Sequence, residues 1–526
     1  MSIATEQFIA GTRSQRGKAT FNAEQAGTGK SLSIAFAEAT PEEIDLACVK
    51  AAHAAPVWAN TSLAKRADLL DAIATELESR ADAFVEQAGA ETGLPEARIR
   101  GELGRTSGQL RLFAGVVREG AFLGVRIDHG DPDRAPAPKP DLRQYQIPLG
   151  PVGVFGASNF PLAFSVCGGD TASALAAGCP VVVKAHPAHP GTSAIAAEAV
   201  ESAVANLEVP AGVFSMLQGS SHALGAALVQ HSAIQAIGFT GSQRGGLALQ
   251  ALAQSRAVPI PVYAEMGSVN PLFILPGALS ERAEAIAEGL AGSITMGCGQ
   301  FCTKPGLVFV PRSDALSSFN DALSAKLQSL PANAMLHSGI LAAYEQGCHI
   351  LDQADGVERL AAGEEKAGLA QAKAYITNET TFLANPALAE EIFGPVTLII
   401  AMDDPAQATT LADALQGQLT AGIHLSQSDI AIAEPLIERL QQKAGRILAN
   451  GYPTGVEVGE AMVHGGPYPA TTDSRTTSVG TRAIERFLRP LALQDMPDAL
   501  LPAALREANP LGLPRRVDGA PQPRQA

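Results

Sequence analysis

A chain of 526 residues exceeds the roughly 250 to 300 at which single cores stop growing, so two or three domains are expected. With 46% hydrophobic and 17% charged residues it has the make-up of a soluble globular protein, and a net charge of -15 without clustered Lys and Arg excludes a nucleic-acid binder and disfavours anionic membranes. The N-terminus has no charged segment followed by an apolar one, and no run approaches about 18 apolar residues, so a cytoplasmic protein is expected.

From 43 to 90 and from 96 to 119, apolar residues recur every three or four positions, which predicts amphipathic helices. Pro132, Pro136, Pro138, Pro140, Pro148 and Pro151 then forbid a helix and favour an extended arm or edge strand. After residue 150, short β-rich runs (PVGVFGA, PVVVKA, GVFSMLQG, IQAIGFTG, PVYAEMG) alternate with helical stretches, the pattern of right-handed βαβ units in a doubly wound parallel sheet. Such sheets bind ligands at the carboxyl ends of their strands. NPLFILPG, GLVFVP, VTLIIAM and RILANG suggest a second α/β unit at about 266 to 460, and the Pro- and Arg-rich tail after about 500 reads as peripheral or partly mobile.

The candidate chemistry sits at strand ends. AGTGKS at 26 to 31 resembles a phosphate-binding loop but has Glu24 where that motif needs glycine. His186 and His189 have an HxxH spacing, but the surrounding prolines and the lack of further ligands argue against a metal, and none is expected. In IGFTGSQRGG a strand runs into Gly241 and then Ser242 at a helix start, where backbone N–H groups can face a pyrophosphate. Lys184 ends a buried strand, a poor place for an unpaired charge, so it wants a ligand. Asn159 follows another strand end and, read alone, fits a turn or helix cap equally well. Glu265 ends a fifth strand and could be a solvated surface group, although its apolar flanks favour partial burial. Among the six cysteines, all sparse and without framework spacing, Cys298 and Cys302 stand between glycines in MGCGQFCTKPG.

Taken together and in order, GPVGVFGASNFPLA, PVVVKAHP, FTGS, AEMGSVNP, GQFC and EEIFGPV resemble the aldehyde dehydrogenase superfamily over roughly residues 40 to 490. KAHPAHPGTS, EMGSVNP and MGCGQFCTKPG are most similar to its bacterial α-ketoglutaric semialdehyde dehydrogenases and their NADP-using fatty-aldehyde relatives. The resemblance implies that Cys302 is the nucleophile and Cys298 a pocket-wall or core thiol. A thiolate attacks the aldehyde carbon, and the thiohemiacetal presents a C–H hydrogen for transfer; model thiols ionise near about 8.5, so the site must favour the thiolate. Asn159 and the Cys302 N–H would face the oxyanion, and Glu265 would deprotonate the water that cleaves the thioester. Lys184 is implied to hold the adenosine ribose or its 2′-phosphate, Gly241 and Ser242 the pyrophosphate, and Glu391 with Phe393 the nicotinamide ribose. Many NAD-preferring members carry an acidic residue three places after the lysine; here it is Pro187, so NADP is expected to be preferred, with NAD possible, and His186 or Ser193 as added contacts.

A dicarboxylic semialdehyde calls for an arginine fork, and Arg105 falls on the helix that lines the family's substrate tunnel, although it could equally be a surface arginine. If Phe160, Phe164 and Phe301 leave the tunnel apolar, a medium- or long-chain aldehyde becomes the better substrate; a catalytically silent member would have lost Cys302, Glu265 or Asn159. The expected fold is α/β: a Rossmann-type cofactor domain (1–133 and 152–264), an α/β catalytic domain (265–465), a small β oligomerisation flap (134–151 and 466–500) and a C-terminal tail (501–526). A homo-oligomer, dimer or tetramer, is implied.

Overall fold

Near the N-terminus the short strands β1 (Gln7–Ile9) and β2 (Thr12–Ser14) precede a hairpin of β3 (Thr20–Gln25) and β4 (Lys30–Ala37) in the computed structural model, which describes residues 3–524. The sequence pattern did not foresee these strands. AGTGKS forms the hairpin tip, where Gly27 and Gly29 take φ of 74° and 64°, a conformation that costs glycine little. Helices α1 (Pro41–Ala59), α2 (Leu63–Glu78), α3 (Ala81–Thr92) and α4 (Glu96–Glu119) follow as the periodicity predicts. A capping box between Thr40 and Glu43, with Pro41 in the first turn, starts α1. Gly93 and Gly120, at φ 68° and 75°, stop α3 and α4.

The strand β5 (Arg126–Asp128) precedes the Pro-rich arm, which contains β6 (Leu142–Pro148). Strands and helices then alternate through β7 (Val152–Phe155), α5 (Gly169–Ala177), β8 (Val181–Lys184), α6 (Pro190–Asn206), β9 (Phe214–Leu217), α7 (His222–Gln230), β10 (Ala236–Thr240), α8 (Gln243–Gln254) and β11 (Val262–Glu265). They build a seven-stranded sheet in the order β11-β10-β7-β8-β9-β1-β2. The strands β7 to β11 are parallel, and helices on both faces explain their nearly continuous apolar runs. Pairing of Phe155 with Lys184 and of Thr240 with Glu265 brings the strand ends to one edge.

The second sheet follows from β12 (Leu272–Ile274), α9 (Pro276–Thr295), β13 (Leu307–Pro311), α10 (Asp314–Gln328), α11 (Ser338–Gln353), β14 (Glu358–Ala362), β15 (Lys373–Asn378), α12 (Glu379–Ala384), β16 (Val396–Met402), α13 (Gln407–Ala414), β17 (Gln418–His424), α14 (Ile430–Leu440) and β18 (Ala444–Ala449). Its order is β14-β15-β16-β13-β12-β17-β18. The strands β14, β15 and β17 lie outside the runs recognised in the sequence.

A third sheet, ordered β19-β6-β5-β20-β21, joins the arm to β19 (Leu488–Gln494), β20 (Arg515–Val517) and β21 (Ala520–Gln522). The tail is therefore not a loose appendage. Leu501, Leu505 and Leu513 are buried against Val125 and Ile127, and Arg515 donates to the carbonyls of Arg506 and Glu507.

Candidate active site

At its C-terminal end α9 runs into a tight turn that carries the cysteine pair. Gly297, Cys298 and Gly299 all have positive φ, at 56°, 58° and 66°, and a methyl on Gly299 would collide with the backbone of Gly394. The turn thus locks the GQFC loop onto the segment bearing Glu391 and Phe393. Cys298 points into the core, its thiol reaching the Asn333 carbonyl at 3.6 Å, and burial pushes it up to about 12. Cys302 is the half-exposed one and lines a cavity of about 630 Å³. The six cysteines are all free.

Side chains far away in sequence hold the loop in place. Asn270, at φ 48°, donates from Nδ2 to the carbonyls of Cys302 (2.8 Å) and Lys304 (3.1 Å). Asn159 donates from Nδ2 to the Gln300 carbonyl at 3.0 Å, which ties it to the nucleophile loop and leaves its second N–H uncommitted. The turn after Asn159 is fixed by the buried Glu102, whose Oε1 accepts from the N–H groups of Leu162 (2.9 Å) and Ala163 (3.0 Å).

Glu265 is 4% exposed at the end of β11. Its Oε2 accepts from Ser478 Oγ, and its Oε1 lies 2.8 Å from His464 Nε2, a contact of charge, since that oxygen has no aligned donor among the described residues. The same Nε2 is 3.3 Å from Cys302 Sγ. Burial alone would lower the His464 pKa, but Glu265 and Cys302 outweigh it and raise it to about 10. Burial would raise Glu265, yet His464 and Ser478 bring it below the usual carboxylate range. Cys302, Glu265 and His464 present their sulfur, oxygen and nitrogen within 4.8 Å of one another. The sequence offers no spacing that points to His464, which lies 162 residues from Cys302.

The cavity has an aromatic floor and a basic wall. Phe160 meets Phe164 and Phe301 edge-on, each at 5.2 Å between ring centroids. Arg98 lies over Phe160 and Phe301 at 4.4 and 4.9 Å. Arg105 donates from Nη1 to the Val456 carbonyl, stacks on Phe164 at 5.6 Å, and keeps buried Nε and Nη2 without a partner among the described residues. Arg446, on β18, gives both Nη groups to the carbonyls of Gly455 and Pro453. Arg98 and Arg446 had no sequence signal, whereas Arg111 pairs with Glu78 outside the cavity.

The edge of the first sheet gathers the residues expected to hold a dinucleotide. Lys184 is half-buried at the end of β8, and burial, opposed by Glu38, lowers it to about 8. Gly241 and Ser242 are exposed at the start of α8, where Ser242 Oγ accepts from the Gly245 N–H and bare backbone donors remain. Glu391 rests on Gly267, where a methyl would strike its carboxylate. Burial, opposed by Lys304, raises Glu391 to about 7, and Phe393 beside it is half-buried. Two of the expected contacts are engaged within the protein. Ser193 is fully buried, its hydroxyl donating to the His189 carbonyl, so it supports the turn from inside. His186 stacks on His189 at 5.5 Å and accepts from the Ala188 N–H through Nδ1, leaving only its Nε2 free to reach outward.

The model of the aldehyde dehydrogenase family matches residues 14–488. The chain is 50% identical over 519 residues to α-ketoglutaric semialdehyde dehydrogenase 2 of Azospirillum brasilense, covering 98% of this chain and 99% of the relative. It is 48% identical over 517 residues to α-ketoglutaric semialdehyde dehydrogenase of Acinetobacter baylyi, covering 98% of each. Among solved structures, betaine aldehyde dehydrogenase of Staphylococcus aureus in complex with NAD+ superposes with a TM-score of 0.80 at 18% identity, over 94% of this chain and 96% of that one. Aldehyde dehydrogenase 21 of Physcomitrella patens in complex with the reaction product succinate gives 0.80 at 21%, over 94% and 98%.

Proposed function

Since the chain belongs to the aldehyde dehydrogenase family, and so oxidises an aldehyde to a carboxylic acid, we propose that its substrate is α-ketoglutaric semialdehyde and its product 2-oxoglutarate. The observation that carries this reading is Arg105, which lines the cavity that holds Cys302 and whose buried Nε and Nη2 have no partner among the described residues. A planar guanidinium left with free donors suits a carboxylate, and the names of the two closely similar relatives agree.

In this reading Cys302 Sγ attacks the aldehyde carbon. The His464 imidazolium, 3.3 Å away, faces the charge on sulfur, and the second Asn159 N–H with the Cys302 N–H receives the charge that develops on oxygen. NAD or NADP, the family's coenzyme, supplies the hydride acceptor. Lys184, Gly241, Ser242, Glu391 and Phe393 would hold it, and Pro187 supports NADP because the turn after Lys184 carries no charge that repels a 2′-phosphate. Glu265, kept ionised by His464 and Ser478, then takes a proton from the water that cleaves the Cys302 thioester, and the His464 imidazolium faces the thiolate that leaves. The resemblance further supports a homodimer or homotetramer, and β18 and β19 are edge strands of their sheets. Among the described residues no helix is long and apolar enough to cross a membrane.

The test is initial-rate reduction of coenzyme with the semialdehyde and with decanal, for wild type, Arg105→Ala and Cys302→Ala. Loss of one charge-assisted hydrogen bond is worth about 1.5 to 3 kcal/mol, so Arg105→Ala is expected to lose roughly 10- to 100-fold in kcat/KM on the semialdehyde and much less on decanal. A wild type that prefers decanal moves the protein to the fatty-aldehyde reading, and turnover surviving in Cys302→Ala overturns the mechanism.

A further inference from the structure

The turn after Lys184 lacks an acidic residue, yet a carboxylate arrives at the same sheet edge from elsewhere in the chain. Lys184 pairs in register with Leu217 on the neighbouring strand, so the loop that follows β9 starts beside the lysine. Glu38, just past β4, is held on that loop. Its backbone neighbour Ala39 donates to the Gln218 carbonyl at 2.9 Å. Its Oε1 accepts from the Ser220 N–H at 2.9 Å and from the Ser220 hydroxyl. Its Oε2 lies against Gly219, where an added Cβ would stand 2.6 Å away, and accepts no hydrogen bond among the described residues. Lys184 Nζ closes no ion pair and no hydrogen bond among them either. An ammonium and a fixed carboxylate thus share one edge with free donor and acceptor capacity.

We propose that Glu38 and Lys184 together grip the two hydroxyls of the coenzyme's adenosine ribose, and that Glu38 makes NAD the preferred coenzyme. This rests on the reading above that a nicotinamide dinucleotide lies along this edge. Vicinal hydroxyls can donate to a carboxylate and accept from an ammonium at once. A 2′-phosphate would remove one of those donors and set negative charge against Glu38, a like-charge juxtaposition that disfavours it where solvent is partly excluded. Pro187 leaves the turn after Lys184 open to a 2′-phosphate, and Glu38 would oppose that phosphate from the neighbouring loop.

Isothermal titration of wild type, Glu38→Gln and Glu38→Asp with NAD and with NADP, in the absence of aldehyde, tests the assignment without turnover. Gln keeps an oxygen for Ser220, so the loop is expected to stay in place, which the thermal midpoint checks; if Glu38→Gln does not fold, Glu38→Ser carries the same comparison. Wild type is expected to bind NAD more tightly, and loss of the charge to tighten NADP roughly tenfold or more while weakening NAD, with Glu38→Asp staying near wild type. A wild-type preference for NADP, or an unchanged ratio of the two affinities in Glu38→Gln, overturns the inference alone. A wild type that binds neither coenzyme overturns the dinucleotide reading itself and the inference with it.

Discussion

Replacing His464 with Gln isolates what the imidazolium does. In the native protein one nitrogen faces both the Cys302 sulfur at 3.3 Å and the Glu265 carboxylate at 2.8 Å, and the ring is only 1% exposed. Removing one member of a buried pair typically costs about 3 to 5 kcal/mol because the other charge is stranded; Gln retains a donor, so the loss of stability should sit at the lower end. The catalytic loss should be larger, roughly 100- to 10,000-fold in kcat, the usual worth of a positioned acid or base. Sign fixes the pH signature. The pKa of His464 is raised to about 10, so the stability it contributes is fully present below its ordinary value of about 6.5 and is lost as pH climbs through about 10. The pKa of Glu265 is lowered, so its contribution is present above the ordinary carboxylate range and disappears on the acid side. Thermal midpoints of wild type should therefore fall more steeply toward pH 10 than those of His464→Gln. Alkylation of Cys302 by iodoacetamide at neutral pH should slow in the variant. An unchanged alkylation rate together with an unchanged kcat would refute the assignment of His464 to the chemistry.

Asn159→Ala should lower kcat by roughly 100- to 1,000-fold, as loss of one oxyanion donor does, with coenzyme affinity by titration unchanged; a loss confined to KM would contradict that role. Gly267→Ala should weaken coenzyme binding, because the added methyl displaces the Glu391 carboxylate resting on that backbone, and equal dissociation constants for variant and wild type would count against Glu391 as a coenzyme contact. Added Zn²⁺ should inhibit, reversibly with EDTA, since Cys302, Glu265 and His464 offer ligand atoms within 4.8 Å of one another and thiolate, imidazole and carboxylate are its usual donors; inhibition that survives undiminished in His464→Gln would place the ion elsewhere.

What could be read from the chain and what could not divide along a physical line. Lys184 and Glu265 stood out because a charge closing an apolar run is anomalous within a few residues, whereas the choice of Cys302 over Cys298 came from the resemblance of GQFC to the family's motif. His464, Asn270, Arg446 and Glu38 did not stand out, since each acquires its meaning from partners that only the fold supplies: His464 lies 162 residues from Cys302, and Glu38 lies 182 from Ser220. The strand β17 was missed for a related reason. It opens with Gln418, which looks like a surface residue, but that side chain is buried with its Oε1 accepting from Ser268 Oγ and the N–H groups of Val269 and Asn270. Polarity in the sequence there records a buried bracket between β17 and the segment that follows Glu265, the same bracket that seats Asn270 beneath the nucleophile. The tail misled in the same way: its arginines suggested solvent, yet Arg515 donates to backbone carbonyls that would otherwise lose water on burial. In each case composition reported which groups were polar, and only the fold reported what satisfied them.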